Sequence, residues 1–450
     1  MFISMNWQEL ISPQILGKKD VKIDHARSAF ERDFDRIIFS QPFRRLQDKT
    51  QVFPVPEHDF VHTRLTHSLE VSSVSRSLGK NAGKVVVERN ASLRKQGISE
   101  FDIGAITAAA ALAHDMGNPP FGHSGEKAIS DFFLQHETGR ALKTQVSEKE
   151  WADLSNFEGN AMGFRLMNKK GYQGLNLTFA TQMAFTKYPR ESSIIADQSR
   201  KSQKKYGFFQ SEKEQFNEIA GRAGLLSLSE DELVWCRHPL AFLVEAADDI
   251  CYHIIDLEDG CRMGLVKYET AKELLVPIIG DLYQPEKLAK VGSEFEKLGL
   301  LRALAIGKLI DQCTQVFLDH ENEILSGSFD EDLIRSIPAK PALEDIMNLS
   351  IKDIYRSKLV LEKEVAGFEV ISGLFETFLT AAVFHSQDNP SHRHKSVLRL
   401  LPEENMLALQ AAETSYEVSM AIIDFITSMT DRYALSIFRK IKGISIPGGV

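Results

Sequence analysis

Apolar residues in this chain recur every three or four positions over long stretches, the spacing of a helix face turned toward a core. The stretches cover about 67–89, 102–115, 157–169, 238–260, 285–320, 361–386 and 404–440. Only short pieces such as Thr50–Val55 and Leu175–Ala180 could be strands. No internal repeat or low-complexity tract breaks the pattern, and the 15 prolines do not gather into a linker. The pattern predicts an all-α fold in one continuous body: an N-terminal segment and helical core over 1–265, and a C-terminal helical extension over 266–450.

Two polar segments interrupt the apolar spacing, at about 136–155 and 186–215. The second carries Lys187, Arg190, Arg200, Lys201, Lys204 and Lys205. It reads either as a solvated, mobile loop or as a basic lid or interface loop facing an anion.

Composition narrows the class. Apolar residues make up 43% and charged ones 26%, ordinary globular values that exclude a disordered or collagen-like chain. With 53 Lys+Arg against 62 Asp+Glu the formal net charge is −9. That disfavours holding duplex nucleic acid by bulk charge, but a small phosphorylated ligand needs only a few local cations. The four cysteines are few and irregularly spaced, as expected of reduced thiols in a cytosolic protein. The N-terminus lacks the basic-then-apolar order of a signal peptide. The most apolar run, Ile103 to Ala113, is about half the ~20 residues of a membrane span. The expectation is a cytoplasmic protein without a membrane segment.

The chemistry lies in three motifs. Arg64-Leu-Thr-His67-Ser-Leu-Glu70 stands at the start of a predicted helix. An apolar helix then ends in His114-Asp115 before Gly117. Finally, carboxylates at Asp248, Asp249 and Asp256 interrupt a helix that is apolar nearly all round. A buried carboxylate is costly unless paired or bound to a metal. Two imidazoles with two carboxylates make a mixed N/O site for a divalent cation such as Mn²⁺, Fe²⁺ or Mg²⁺.

The order His67…His114-Asp115…Asp248 resembles the H…HD…D pattern of the HD-domain superfamily of metal-dependent phosphohydrolases. Longer stretches resemble one branch, the bacterial dGTP triphosphohydrolases. These are ERDFDRIIFSQPFRRLQDKTQVFP (31–54), RLTHSLEV (64–71), LAHDMGNPPFGHSGEKAI (112–129), FEGNAMGFRL (157–166), FLVEAADDICYHIIDLEDG (242–260), VISGLFE (370–376) and ITSMTDRYAL (426–435). The dipeptide His-Asp alone says little, whereas the NPPFGHSGE and EAADDICY…DLEDG blocks are highly specific.

The resemblance implies an HD-type helical core with metal ligands His67, His114, Asp115 and Asp248. It places the fourth ligand directly after a small residue, hence at Asp248. Periodicity agrees, since Asp248, Tyr252 and Asp256 at i, i+4 and i+8 share a helix face. Asp249 then points about 100° away, toward helix packing or a role behind the ligands. In the proline- and glycine-rich segment 117–126, His123 and Glu126 are three apart and can touch. The resemblance makes His123 the proton donor to a leaving 5′ oxygen, with Glu126 orienting it.

Arg64 reads as a phosphate contact or as a structural ion-pair partner, and the resemblance adds Lys187 on the phosphates. It also points to Gln51, Val52, Tyr252 and Asp256 around sugar and base, the Tyr252 ring leaving no room for a 2′-OH. Asn160 reads as a base or phosphate contact or as a helix N-terminal polar contact. Glu376 reads as a reader of guanine donors or as an ion-pair partner.

The implied reaction converts dGTP and water to deoxyguanosine and triphosphate. Alternatives are a broad dNTP triphosphohydrolase and a non-catalytic nucleotide- or single-stranded-DNA-binding regulator. A phosphodiesterase of cyclic or oligomeric nucleotides fits less well, given the blocks outside the core. The resemblance also implies a homo-oligomer, often a hexamer, and a possible dNTP or single-stranded-DNA effector.

Overall fold

The periodic stretches become helices because each buries its apolar stripe against another. The computed structural model describes residues 4–18, 27–53, 62–169 and 174–445, and among them the fold is all-α, without a β-strand. Seven helices position the site: α1 Arg64–Arg89, α2 Glu100–Ala113, α3 His123–Gln135, α4 Gly159–Met167, α5 Pro239–Arg262, α6 Lys358–Ser386 and α7 Asp431–Ile441.

The two strand candidates supply only isolated bridges. Thr50 pairs with Thr63, and Thr178 with Ile15. Among the described residues neither segment meets a second extended segment long enough to form a ladder. Thr178 instead caps the helix Phe179–Phe185, its side chain accepting from the Thr181 N–H. Positions 54 and 55 of the first candidate lie outside the described residues. The long C-terminal pattern is cut into Glu403–Gln410, Ser415–Thr427 and α7, with Thr414 and Thr430 capping the last two.

The pair α1–α2 forms the centre. Gly83 lies against Ile103, where a Cβ would stand 2.9 Å from the Ile103 Cβ, so the backbones approach closely. Across the seam Ser75 Oγ donates to the Thr107 carbonyl at 3.1 Å, and Thr107 Oγ1 donates to the Ser75 carbonyl at 2.9 Å. Small residues thus pair their hydroxyls internally while Ile106 and Ala109 to Ala113 are fully buried. The all-apolar end of α2 pins His114 and Asp115 at one fixed depth.

One core packs α1, α2 and α5 with the helices around 268–350, and a second packs α3 and α4 with α6 and the C-terminal helices. By length and composition α6 could cross a membrane. In the fold, Val370, Ile371, Leu374, Phe375, Phe378 and Leu379 are all buried in the second core.

Helix α5 begins at Pro239, whose missing N–H costs nothing at a first turn. Its cap is His238, which is fully buried: Nδ1 accepts from the Leu240 N–H at 3.1 Å and Nε2 donates to the Leu10 carbonyl at 3.1 Å. One ring nitrogen must accept and the other donate, so the ring is neutral. Burial pulls its pKa down from 6.5 to about 4. The unfolded chain therefore binds the extra proton first, and stability present above pH 6.5 drains away as pH falls toward 4. We predict a loss of about 3 kcal/mol over that window. Denaturant unfolding at pH 7, 5.5 and 4.5 should show a steeper fall in the parent than in His238→Asn, and parallel curves would contradict the assignment.

Candidate active site

The helix ends converge on a cavity of about 640 Å³. On its floor stand His67 from α1, His114 and Asp115 from the end of α2, and Asp248 from α5. His67 Nε2 is 3.1 Å from Asp248 Oδ1, and His114 Nε2 is 3.6 Å from that same oxygen and 3.6 Å from Asp115 Oδ2. His114 Nδ1 is 2.6 Å from the Ala111 carbonyl, which can only accept. The Nδ1 proton is therefore fixed there, and the Nε2 lone pair faces the cluster.

The donor set fits a divalent cation. His67, His114 and Asp248 each turn a ligand atom to a common point, all within 4.8 Å of one another. Ligands about 2.1 Å from a shared ion lie about 3.0–3.4 Å apart, close to these spacings. Asp115 stands beside this group and outside it: Oδ1 accepts from Arg64 Nη1 at 2.7 Å and from Asn118, whereas Oδ2, 3.6 Å from His114 Nε2, is buried with no hydrogen-bond partner. An orphaned carboxylate oxygen beside two imidazoles is what a bound cation would satisfy. Burial raises the Asp115 carboxyl, but Arg64 and the two rings outweigh it and hold the group below its usual range. Asp248 is likewise held low by His114 and His67 against its burial.

Next to this floor the backbone kinks at Phe121 and Gly122, with φ of +63° and +59°, and α3 starts at His123. His123 Nδ1 lies 2.7 Å from Glu126 Oε2, and Glu126 Oε1 accepts the Gly159 N–H at 2.9 Å. Burial pushes the Glu126 carboxyl up, yet the His123 bond and Lys205 bring it below its usual range. Glu126 thus stays a carboxylate, fixes the His123 Nδ1 proton, and leaves Nε2 of an exposed ring free for the cavity.

One wall is cationic. Lys187 pairs with Glu245 at 3.0 Å, and Glu245 is also held by the buried Arg237. Lys205 pairs with Glu158 at 2.9 Å, and Glu158 also accepts from Asn160 Nδ2 at 2.6 Å. Asn160 thus lines the cavity while making the helix N-terminal contact. Arg64 likewise pairs with Asp115 and lines the cavity. The basic segment at 186–215 is solvated only around its middle, where Ile195 and Asp197 to Ser199 are exposed: Tyr188, Lys204 and Lys205 form cavity wall, and Tyr206, Phe208 and Phe209 are buried.

Gln51, Val52 and Tyr252 also line the cavity. Gln51 Oε1 is buried without a partner. The structure does not bring two expected residues to the cavity. Asp256 is buried behind Tyr355, whose hydroxyl donates to it at 2.8 Å, and Tyr355 stacks on Tyr252 with ring centres 5.5 Å apart. Glu376 is half exposed and pairs with Lys442 at 3.2 Å. It follows the cavity-lining Lys363 and Glu364 by twelve or more positions on α6, about 18 Å along the axis. Asp249 departs from its expected place as well. It lies on the wall between this cavity and a 410 Å³ recess, and burial beside Glu245 and Asp248 holds its carboxyl well above the usual range.

Sequence reasoning missed Tyr355 and Lys363. Neither sits in a recognisable motif, and each reaches the site only through the packing of α6 and the turn before it. Lys363 Nζ donates to the Val52 carbonyl at 3.3 Å.

The fold and this histidine–aspartate floor define an HD-domain phosphohydrolase. The HD domain family model matches residues 64–157, and the phosphohydrolase-associated domain model matches residues 338–440. A deoxyguanosinetriphosphate triphosphohydrolase-like protein of Synechocystis sp. is 42% identical over 98% of this chain and 100% of its own length. Its counterpart in Pseudomonas aeruginosa is 38% identical over the same shares. A deoxyguanosinetriphosphate triphosphohydrolase of Salmonella schwarzengrund is 28% identical over 98% of each chain. The chain belongs to the deoxyguanosinetriphosphate triphosphohydrolase-like family of metal-dependent HD-domain hydrolases.

Cation binding should register as stability. At a free Mn²⁺ concentration one hundred times Kd, a native-state site adds about 2.7 kcal/mol. Thermal unfolding with and without Mn²⁺ should show this gain in the parent and not in His67→Ala or Asp248→Ala. A full gain in both variants would place the cation elsewhere.

Proposed function

We propose that this chain is a dGTP triphosphohydrolase, converting dGTP and water to deoxyguanosine and inorganic triphosphate. The observation that carries the reading is a juxtaposition in one cavity. The orphaned Asp115 oxygen and its three companion donors sit beside the His123–Glu126 pair and under the wall formed by Lys187, Lys205 and Arg64.

His67, His114, Asp115 and Asp248 would hold one divalent cation, Mn²⁺, Mg²⁺ or Fe²⁺. When bound, such an ion polarises a phosphoryl oxygen and lowers the pKa of water enough to supply hydroxide near neutral pH. The rest of the chemistry falls to the chain. Lys187, Lys205 and Arg64 offset the charge of a polyanion that would otherwise repel the attacking oxygen, and they hold the α-phosphorus in line. His123 donates its Nε2 proton to the 5′ oxygen as the bond to phosphorus breaks, and Glu126 stabilises the imidazolium before that transfer. Triphosphate then leaves intact.

Nucleoside recognition rests on Gln51, Tyr252 and Tyr355 of the same lining. The unpartnered Gln51 oxygen suits the donor of a 3′-OH, and the Tyr252–Tyr355 stack forms a flat boundary where a 2′-OH would crowd. A looser base selectivity is the second reading, favoured by the position of Glu376 outside the cavity. Cytoplasmic location and homo-oligomer assembly belong to the same proposal.

Purified protein with Mn²⁺ and each dNTP in turn should release triphosphate, fastest from dGTP. Pyrophosphate as product, or silence with every dNTP, overturns the proposal, and equal rates on all four establish the broad variant. His123→Ala should lower kcat by about 10²–10⁴-fold with Mn²⁺ affinity retained. His114→Ala should lose the metal and the activity together.

A further inference from the structure

The kinked segment that aims His123 is held from outside the HD core, by the first residue of α7. Asp431 Oδ1 accepts the Phe121 N–H at 2.9 Å. Its second oxygen, Oδ2, accepts both the Thr50 N–H at 3.1 Å and the Thr50 hydroxyl at 2.6 Å. One carboxylate therefore spans two segments that are remote in sequence, the loop that ends in His123 and the strip that presents Gln51 and Val52. Neither oxygen serves its own helix, whose cap is the hydroxyl of Thr430.

Neighbouring contacts give this bridge its leverage. Phe121 has a φ of +63°, a conformation an L-residue rarely holds without outside restraint. Its ring rests on Gly367 of α6, where a Cβ would lie 2.6 Å from the Phe121 Cβ. Arg64 presses on the following Gly122, leaving no space for a side chain there. A second strut runs parallel. Lys49 is buried, and its Nζ donates to the Asn118 carbonyl at 2.5 Å and to the Thr427 carbonyl at 2.8 Å. Residues 49 and 50 thus make two separate ties from the nucleoside wall to the His123 loop and to the start of α7.

We propose that Asp431 is a positioning residue: it locks the Phe121 kink that directs His123 to the leaving oxygen, and the same carboxylate fixes the wall that grips the nucleoside. The bridge makes proton donation depend on the α7 end of the phosphohydrolase-associated region. It rests on the reading of His123 as proton donor.

The test is a double-mutant cycle on the full-length protein with Mn²⁺ and dGTP. Asp431→Ala should lower kcat at least tenfold and raise KM several-fold, with Mn²⁺ affinity by titration calorimetry within twofold of the parent. Asp431→Asn, which keeps one acceptor oxygen, should fall between. In a His123→Ala background, Asp431→Ala should cost less than twofold in kcat, because the ring it aims is gone. An equal factor in both backgrounds, a parental kcat, or Mn²⁺ affinity lost in step with kcat overturns the proposal. Should Asp431→Ala fail to fold, Thr50→Val removes only the 2.6 Å bond and enters the same cycle with a smaller expected loss. A readout free of turnover separates this proposal from the substrate assignment. In histidine-labelled protein, the His123 ring resonance should move in Asp431→Ala (or in Thr50→Val) while those of His238 and His320 stay. An unmoved His123 signal defeats the proposal whatever the substrate proves to be.

Discussion

A carboxylate that follows the all-apolar end of a helix has to be compensated, and the site is arranged around that requirement. Asp115 arrives at its depth because Ala109 to Ala113 leave α2 no alternative to complete burial. Uncompensated, a charge there would cost several kcal/mol. Arg64, from the start of α1, answers one of its oxygens, and the other is turned to the imidazoles. Because the same guanidinium also abuts Gly122, the compensation of Asp115 sets where the next loop can run. The histidine–aspartate floor and the His123 loop therefore share one anchor. The α1–α2 seam, where glycines and hydroxyls allow close approach, keeps that anchor in register.

Much of this was legible from residue spacing. Long three- and four-residue periods specify helices because burial of a stripe is the main stabilising term, and those helices formed. The motif residues His67, His114, Asp115 and Asp248 were legible because charged and ligating groups in apolar surroundings are expensive without a purpose. The His123–Glu126 pairing followed from an i, i+3 spacing at a helix start.

The rest depended on which neighbour covers each side chain, and spacing carries no such information. Asp256 shares its helix face with Asp248, yet Tyr355 arrives from a π-helical turn at Ser350–Ile354 and lies over it. Glu376 is a polar residue on an apolar helix, as a binding residue would be, but distance along α6 takes it to the surface. Asp249 sits about 100° round the helix from its neighbour and still reaches the cavity, because the cavity wraps around α5 and does not face it from one side. Among the described residues the strand candidates find no extended partner, which depends on the rest of the chain and not on the segment.

The arrangement around Glu245 has a consequence for how a polyanion is received. This carboxylate is shared between the buried Arg237 and the cavity-facing Lys187, and the two cations outweigh its burial and hold it firmly ionised. If Lys187 turns toward an incoming phosphate, Glu245 keeps Arg237 and is not stranded as an isolated charge. A field made of such transferable contacts is already oriented before the ligand arrives, and it needs little rearrangement as the phosphoryl group moves.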